Sequence, residues 1–179
     1  MRTENTEMSV RGMDRESTCC FTGHRPEKLP WRDNEDDSRC VELKARLAQE
    51  LEAAYEKGMR HFICGMARGA DFYFCEAVLE LRRRRPGVTL EAAIPCEEQA
   101  AQWKEKERDR YFSLIEQCDY ETMVQLHFDK NCMLRRNRYM VDRSAMLIAA
   151  YDGMLGGTMY TISYAMKNGL EVVILDVAG

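Results

Sequence analysis

The chain has 179 residues, of which 45% are hydrophobic and 31% charged, and its formal net charge is −4. This balance predicts a globular protein and argues against a general nucleic-acid coat protein. No apolar run reaches the length of a membrane span and no signal peptide is evident, so we expect a cytoplasmic protein without a membrane partner. Residues 1–16 are polar and predict a disordered tail, and residues 17–179 predict a single domain.

The cysteines and histidines do not indicate a metal site or a disulfide framework. The chain contains eight cysteines but no Cys-x-x-Cys pair. His24, His61 and His127 lie far apart in the sequence. Because several cysteines fall within apolar or helical patterns, we expect small buried thiols in a reducing compartment and no bound metal.

In chain order, apolar runs of strand length alternate with segments of helical periodicity. The predicted strands cover residues 17–22, 61–64, 88–94, 120–126, 146–151 and 171–177. The predicted helices cover residues 38–57, 71–85, 98–117, 131–144 and 157–167. Such alternation predicts a three-layer α/β fold with a doubly wound, mainly parallel sheet of about six strands.

In a sheet of this kind, ligands bind beyond the carboxyl ends of the strands, near the point where the strand order reverses. The segments that follow the predicted strands are therefore expected to meet at one edge. These segments are residues 23–25, 65–71, 95–96 and 152–158.

The turn Gly156-Gly157-Thr158 lies between a predicted strand and a predicted helix. Backbone N–H groups at such a helix start attract anions, and glycine lets a ligand approach the backbone. We therefore predict that this turn holds the phosphate of a nucleotide-like ligand. The alternative is an ordinary strand-to-helix turn, which is common in α/β proteins.

Two other strand ends carry side chains suited to the same ligand, although the NAD fingerprint and the P-loop motif are both absent. Arg68 can pair with phosphate, and Asp71 can either bind ribose hydroxyls or cap the following helix. His24 can act as a general acid or base or donate to phosphate, and the alternative is a loop residue that bonds carbonyls.

Four motifs in this order resemble the SLOG superfamily, and specifically its YpsA-like branch, also known as DUF1273. They are residues 21–26 (FTGHRP), 65–71 (GMARGAD), 136–142 (RNRYMVD), and 151–153 (YDG) with 156–158 (GGT). The resemblance covers about residues 17–176 and implies a Rossmann-like fold. It also implies a sensor or regulatory protein that binds a nucleotide or a derivative such as ADP-ribose or an NAD-like molecule, without a further cofactor.

The residues and the resemblance together give one set of predicted ligand-binding positions. Arg136, Asn137 and Asp142 enter it through the resemblance alone. The full set is Gly23, His24, Arg25, Gly65, Ala67, Arg68, Gly69, Ala70, Asp71, Arg136, Asn137, Asp142, Asp152, Gly153, Gly156, Gly157 and Thr158.

Two relatives of the branch suggest other functions. The LOG enzymes hydrolyse the N-glycosidic bond of nucleoside monophosphates with a glutamate that follows a Gly-Thr pair. Alignment of that pair on Gly157-Thr158 places Thr161 at the position of the glutamate. Asp71, Asp142 or Asp152 would have to supply the carboxylate instead. Single-stranded DNA binding like that of DprA requires a basic groove with stacking aromatics, which the sequence does not indicate. The resemblance also allows a homodimer and a regulatory protein partner.

Overall fold

The computed structural model describes residues 13–177. Six strands form one sheet in which every pairing is parallel. The strands are β1 (Thr18–Gly23), β2 (His61–Cys64), β3 (Thr89–Ile94), β4 (Tyr120–Met123), β5 (Met146–Tyr151) and β6 (Glu171–Asp176). Their spatial order is β4-β3-β2-β1-β5-β6. The predicted α/β fold with a parallel sheet is confirmed.

Within residues 13–177, five α-helices cover the two faces of the sheet. They are α1 (Ser38–Glu56), α2 (Ala70–Arg84), α3 (Glu105–Gln117), α4 (Cys132–Asp142) and α5 (Gly157–Lys167). The larger apolar core joins α1, α2 and α3 to one face, and a smaller core joins α4 and α5 to the other. Because successive strand residues point to opposite faces, Cys19 belongs to the first core and Cys20 to the second.

The strand order reverses between β1 and β5. From β1 the chain proceeds through β2 and β3 to β4 in one direction, and β5 and β6 then lie on the other side of β1. At the carboxyl ends of these strands Gly23 pairs with Ala150. This is the place where a doubly wound sheet opens a crevice for ligands.

Two predicted boundaries were wrong, both near β4. The helix predicted over residues 98–117 begins at Glu105, because residues 97–103 form turns that bury Ala100 and place Trp103 against Phe72. The strand predicted over residues 120–126 ends at Met123, and a loop in which Leu126 is exposed follows. In both cases apolar residues of loops continued the pattern of the neighbouring element.

The first described residues lead directly into β1. A single 3-10 turn, Arg15–Ser17, precedes the strand, and the Arg15 Nε donates a hydrogen bond to the Ser144 carbonyl at 3.1 Å. The predicted disordered tail lies largely in residues 1–12, which are outside the described residues. Among the residues that are described, no helix is both long and apolar enough to cross a membrane.

Candidate functional site

A cleft of about 440 Å³ opens at the carboxyl ends of β1 and β5. Four segments that are distant in the sequence line it: the end of β1, the loop after β2, one face of α4 and the start of α5. The predicted site residues among its lining are Gly23, His24, Arg25, Ala67, Asp71, Arg136, Asn137, Gly157 and Thr158. The structure therefore brings together residues from three of the four predicted strand-end segments and from the motif of residues 136–142.

The N-terminus of α5 is open toward this cleft. Gly156 is the N-cap residue and supplies no side-chain hydrogen bond to the first backbone N–H groups. A Cβ atom added at Gly157 would have no described heavy atom within 4 Å. The first turn therefore offers unsatisfied N–H donors, together with the positive end of the helix dipole, to an anion in the cleft.

His24 lies behind this turn and is 5% exposed. Its Nδ1 is 3.4 Å from the Thr158 hydroxyl, and its Nε2 is 3.0 Å from the Asp152 carboxylate. The second contact has the distance of an ion pair but not the angle of a hydrogen bond, so Nε2 remains an unsatisfied buried atom. The imidazole thus connects the loop after β5 with the first turn of α5.

The carboxylate of Asp71 lies at the floor of the cleft and is 6% exposed. It accepts a hydrogen bond from the Ala67 N–H at 3.0 Å. Burial raises the pKa of Asp71 from its ordinary value of 3.8 to about 6, although the Arg136 charge and this hydrogen bond act in the opposite direction. A buried carboxyl group with a raised pKa at a cleft floor is a common feature of functional sites.

Arg136 supports the floor from α4. Its guanidinium donates to the Gly65 carbonyl, and its Nε donates to the Asn137 side-chain oxygen at 2.9 Å. A Cβ at Gly65 would lie 2.7 Å from the guanidinium carbon, so glycine is required for this close approach. Burial lowers the pKa of Arg136, against the attraction of Asp71.

Three of the predicted positions serve packing around the loop after β2. Gly69 adopts a φ of +85°, and a Cβ there would lie 2.8 Å from the His24 carbonyl oxygen. Ala70 donates its N–H to the same carbonyl at 3.1 Å. A Cβ at Gly23 would lie 2.7 Å from the Ala70 Cβ. These small residues hold the ends of β1 and α2 close together.

The structure places other predicted residues outside the cleft lining. Arg68 lines a neighbouring cleft, where it pairs with Glu27 and Glu107. Asp142 is exposed near the opposite edge of the sheet and accepts a hydrogen bond from Tyr164 at 2.7 Å. Gly153 is exposed in the loop after β5. The segment after β3 does not line the cleft either, because Cys96 is fully buried.

Sequence reasoning missed Lys28, which lines the cleft. Its amine lies 3.0 Å from the position that a Cβ on Gly156 would take. The 3-10 turn Pro26–Lys28 after β1 carries it there. Within the described residues, the side chains of Lys28 and Arg25 form no hydrogen bond or ion pair, so both cations are available to an anion. The turn propensity of Pro26 was the only sequence signal.

A second buried polar cluster lies away from this cleft, where β2 and β3 meet α4. His61 contacts the Thr89 hydroxyl and the Glu91 carboxylate, both at 2.8 Å, and the Tyr139 hydroxyl donates to the other Glu91 oxygen at 2.6 Å. Burial alone would raise the pKa of the fully buried Glu91, but these hydrogen bonds outweigh it and lower the pKa. We call these four residues the His61 cluster.

Comparison with known proteins decides the family. The family model YpsA, described as "YspA SLOG family", matches residues 19–173. The chain belongs to this family. This chain is 29% identical over 143 residues to the SPbeta prophage-derived protein YoqJ of Bacillus subtilis, and the alignment covers 73% of this chain and 84% of YoqJ. It is 27% identical over 128 residues to a UPF0398 protein of Halalkalibacterium halodurans, covering 70% and 68% of the two chains.

Solved structures show the same fold. DNA processing protein A (DprA) of Streptococcus pneumoniae superposes with a TM-score of 0.58 at 18% identity, over 89% of this chain and 50% of DprA. DprA of Helicobacter pylori, whose structure concerns single-stranded DNA binding, gives 0.57 at 16% identity over 89% and 65% of the two chains. The SLOG chain thus spans only half to two thirds of these proteins. The resemblance predicted from four motifs is confirmed at the level of family and fold.

Proposed function

We propose that this SLOG protein binds a phosphorylated nucleotide derivative as a sensor, with the phosphate at the N-terminus of α5. The observation that carries the proposal is the uncapped first turn of α5, which opens into the cleft between β1 and β5. A phosphate there would accept hydrogen bonds from the N–H groups of the turn and from the Thr158 hydroxyl.

The remaining groups of the cleft suit the rest of a nucleotide. Arg25 and Lys28 lack protein partners among the described residues and would neutralise the phosphate charge. Asp71 would accept hydrogen bonds from ribose hydroxyls, and Asn137 would contact a base or sugar edge. Asp152 acts through His24, since its carboxylate faces the imidazole and accepts the Met154 N–H.

A panel of nucleotides tests this function. Purified protein is incubated with AMP, ADP, ADP-ribose and NAD, and thermal stabilisation and released free base are followed in parallel. Because a ligand that binds only the folded state raises the melting temperature, at least one compound should stabilise the protein without turnover. If none of the four stabilises it at millimolar concentration, the proposed function is wrong.

One observation favours a second candidate, hydrolysis of an N-glycosidic bond. Asp71 is a buried carboxyl group with a raised pKa at the cleft floor, and such groups act as acids or bases in glycoside cleavage. In this reaction water adds to the sugar carbon, the bond from carbon to nitrogen breaks, and the base leaves with a proton. The Thr161 hydroxyl, which donates to the Gly157 carbonyl at 3.0 Å, cannot provide this carboxylate. Release of adenine from AMP, abolished in Asp71→Asn, would establish the enzyme and reject the sensor.

A further inference from the structure

The imidazole of His24 lies between a carboxylate and the first turn of α5. Its Nε2 is 3.0 Å from the Asp152 carboxylate, and its Nδ1 is 3.4 Å from the Thr158 hydroxyl. Burial alone would raise the pKa of Asp152, but the Met154 N–H and the nearby imidazole outweigh burial and lower this pKa. Asp152 is therefore ionised at neutral pH.

The Asp152 carboxylate decides which ring nitrogen carries the proton when His24 is neutral. A lone pair on Nε2 would face the negative charge at 3.0 Å, so the proton belongs on Nε2 and the lone pair on Nδ1. The Thr158 hydroxyl then donates its single hydrogen to Nδ1. In the free protein, this hydrogen is therefore already used in a contact with His24.

A phosphate at α5 changes what the Thr158 hydroxyl must do. Because the hydroxyl has a single hydrogen, it can donate to the phosphate only by turning away from Nδ1. Nδ1 would then keep a lone pair beside an anion, although the imidazole is only 5% exposed. A buried acceptor without a donor is costly, whereas a protonated Nδ1 can donate to the Thr158 oxygen.

We propose that His24 takes up a proton from solvent when the phosphate binds, and that this proton holds the Thr158 hydroxyl in the orientation that donates to the ligand. His24 is thus a positioning residue, and it makes ligand binding depend on pH. This proposal rests on the proposed function, because it requires a phosphate at the N-terminus of α5.

The charges around His24 favour the same change. The positive end of α5 and the cations Arg25 and Lys28, which line the same cleft, disfavour a charged imidazole before an anion binds. A bound phosphate offsets these positive charges. The imidazolium would also strengthen the contact with Asp152, where Nε2 has no hydrogen bond of good geometry within the described residues.

Three further charged groups line the cleft, namely Glu27, Asp71 and Arg136. Among these, Asp71 needs separate treatment, because burial raises its pKa to about 6. A phosphate nearby would favour its protonated form as well. A test must therefore distinguish a proton on His24 from a proton on Asp71.

Nitrogen-15 NMR of the histidine side chains makes this distinction in the wild-type protein. The chain has three histidines, and His61 and His127 lie outside the cleft lining and serve as internal references. Near pH 7.5, the Nδ1 of His24 should have the chemical shift of an unprotonated nitrogen in the free protein. With saturating AMP it should have the shift of an N–H group, while the other two histidines remain unchanged.

Isothermal titration calorimetry then counts the protons. AMP is titrated near pH 7.5, where its phosphate is mostly a dianion, in HEPES and in Tris, which differ in ionisation enthalpy. The number of protons taken up per AMP should be lower in His24→Asn than in wild type by about one. The matched control is His127→Asn, at an exposed histidine outside the cleft, which should keep the wild-type number.

Three results would overturn the proton uptake and leave the phosphate site intact. They are a His24 that stays neutral in the AMP complex, a His24 that is already charged in the free protein, and equal proton numbers in wild type and His24→Asn. If His24→Asn does not fold or bind AMP, the NMR result on the wild type decides. If AMP does not bind, the compound of the nucleotide panel that stabilises the protein replaces it. Failure of every compound would overturn the proposed function and this inference with it.

Discussion

The cleft at β1 and β5 and the His61 cluster contain similar residue types but differ in how their polar groups are satisfied. In the His61 cluster, both oxygens of the buried Glu91 accept hydrogen bonds from protein side chains. In the cleft, the first turn of α5 has no cap, and Lys28 has no partner among the described residues. Buried charge by itself is therefore no argument for a ligand site, and our proposal for the cleft depends on its converging polar groups without partners.

Removing the acceptor of the His61 cluster should give the largest effect, and only on stability. Glu91→Ala leaves His61 and Tyr139 without their shared partner, at a position where the Glu91 side chain is fully buried and His61 is nearly so. We expect a loss of about 3–5 kcal/mol in the free energy of unfolding, measured with urea. Ligand affinity of the folded fraction should stay unchanged.

Glu121→Ala is the matched control, because Glu121 is an exposed residue of the edge strand β4. Its effect on unfolding should stay within about 0.5 kcal/mol. Should Glu91→Ala weaken ligand binding while the stability remains normal, the His61 cluster would have to be counted as a binding site.

Asp71 should make the protein less stable as the pH rises, whereas a carboxylate that is stabilised by hydrogen bonds or ion pairs would make it more stable. Because its folded pKa of about 6 exceeds the ordinary 3.8, the folded state holds more protons between these values. Stability contributed by Asp71 is therefore present at low pH and lost as pH rises to about 6, by about 3 kcal/mol in total.

Asp71→Asn removes this titration. The difference in unfolding free energy between wild type and variant, measured by urea unfolding from pH 3 to pH 7, should move by about 3 kcal/mol in favour of the variant. Asp109→Asn, at an exposed position of α3, should show no such trend. A flat difference for Asp71→Asn would mean that water or Arg136 stabilises the ionised carboxylate.

Gly157→Asp tests the open turn of α5 directly. The new side chain has free space, and a carboxylate in the first helical turn favours the helix dipole, so the variant should fold normally. The carboxylate would occupy the anion position and repel phosphate, and we expect about a 100-fold loss of affinity for AMP, or about 2.7 kcal/mol. Gly157→Ala adds a side chain without charge and should change affinity much less. Equal affinity in wild type and Gly157→Asp would remove this turn from the site.

The sequence was sufficient for the fold, and about half of the predicted site residues line the cleft at β1 and β5. Periodicity located every strand and α-helix of residues 13–177, and the rule for doubly wound sheets placed Gly23 and Gly157 at one edge. The sequence did not predict the roles of side chains that depend on contacts with residues from distant segments. Arg68 looked free for phosphate, yet it pairs with Glu27 and Glu107, which come from distant segments. Asp142 lies in a motif with Arg136, but six residues of helix carry it toward the other edge of the sheet.

Lys28 gives the smallest expected effect and addresses what sequence reasoning missed. Its exposed amine can approach a phosphate at α5 but remains in contact with water, so Lys28→Gln should weaken AMP binding about 5- to 10-fold, or about 1 kcal/mol. Calorimetry at two salt concentrations should show a weaker salt dependence in the variant, because one cation no longer contributes. Lys167→Gln, at the far end of α5, should behave as wild type.

If Lys28→Gln had no effect while Gly157→Asp abolished binding, the backbone of α5 with Arg25 would account for phosphate recognition. In that case, a polar group without a protein partner would predict phosphate contact at the start of α5 but not at Lys28.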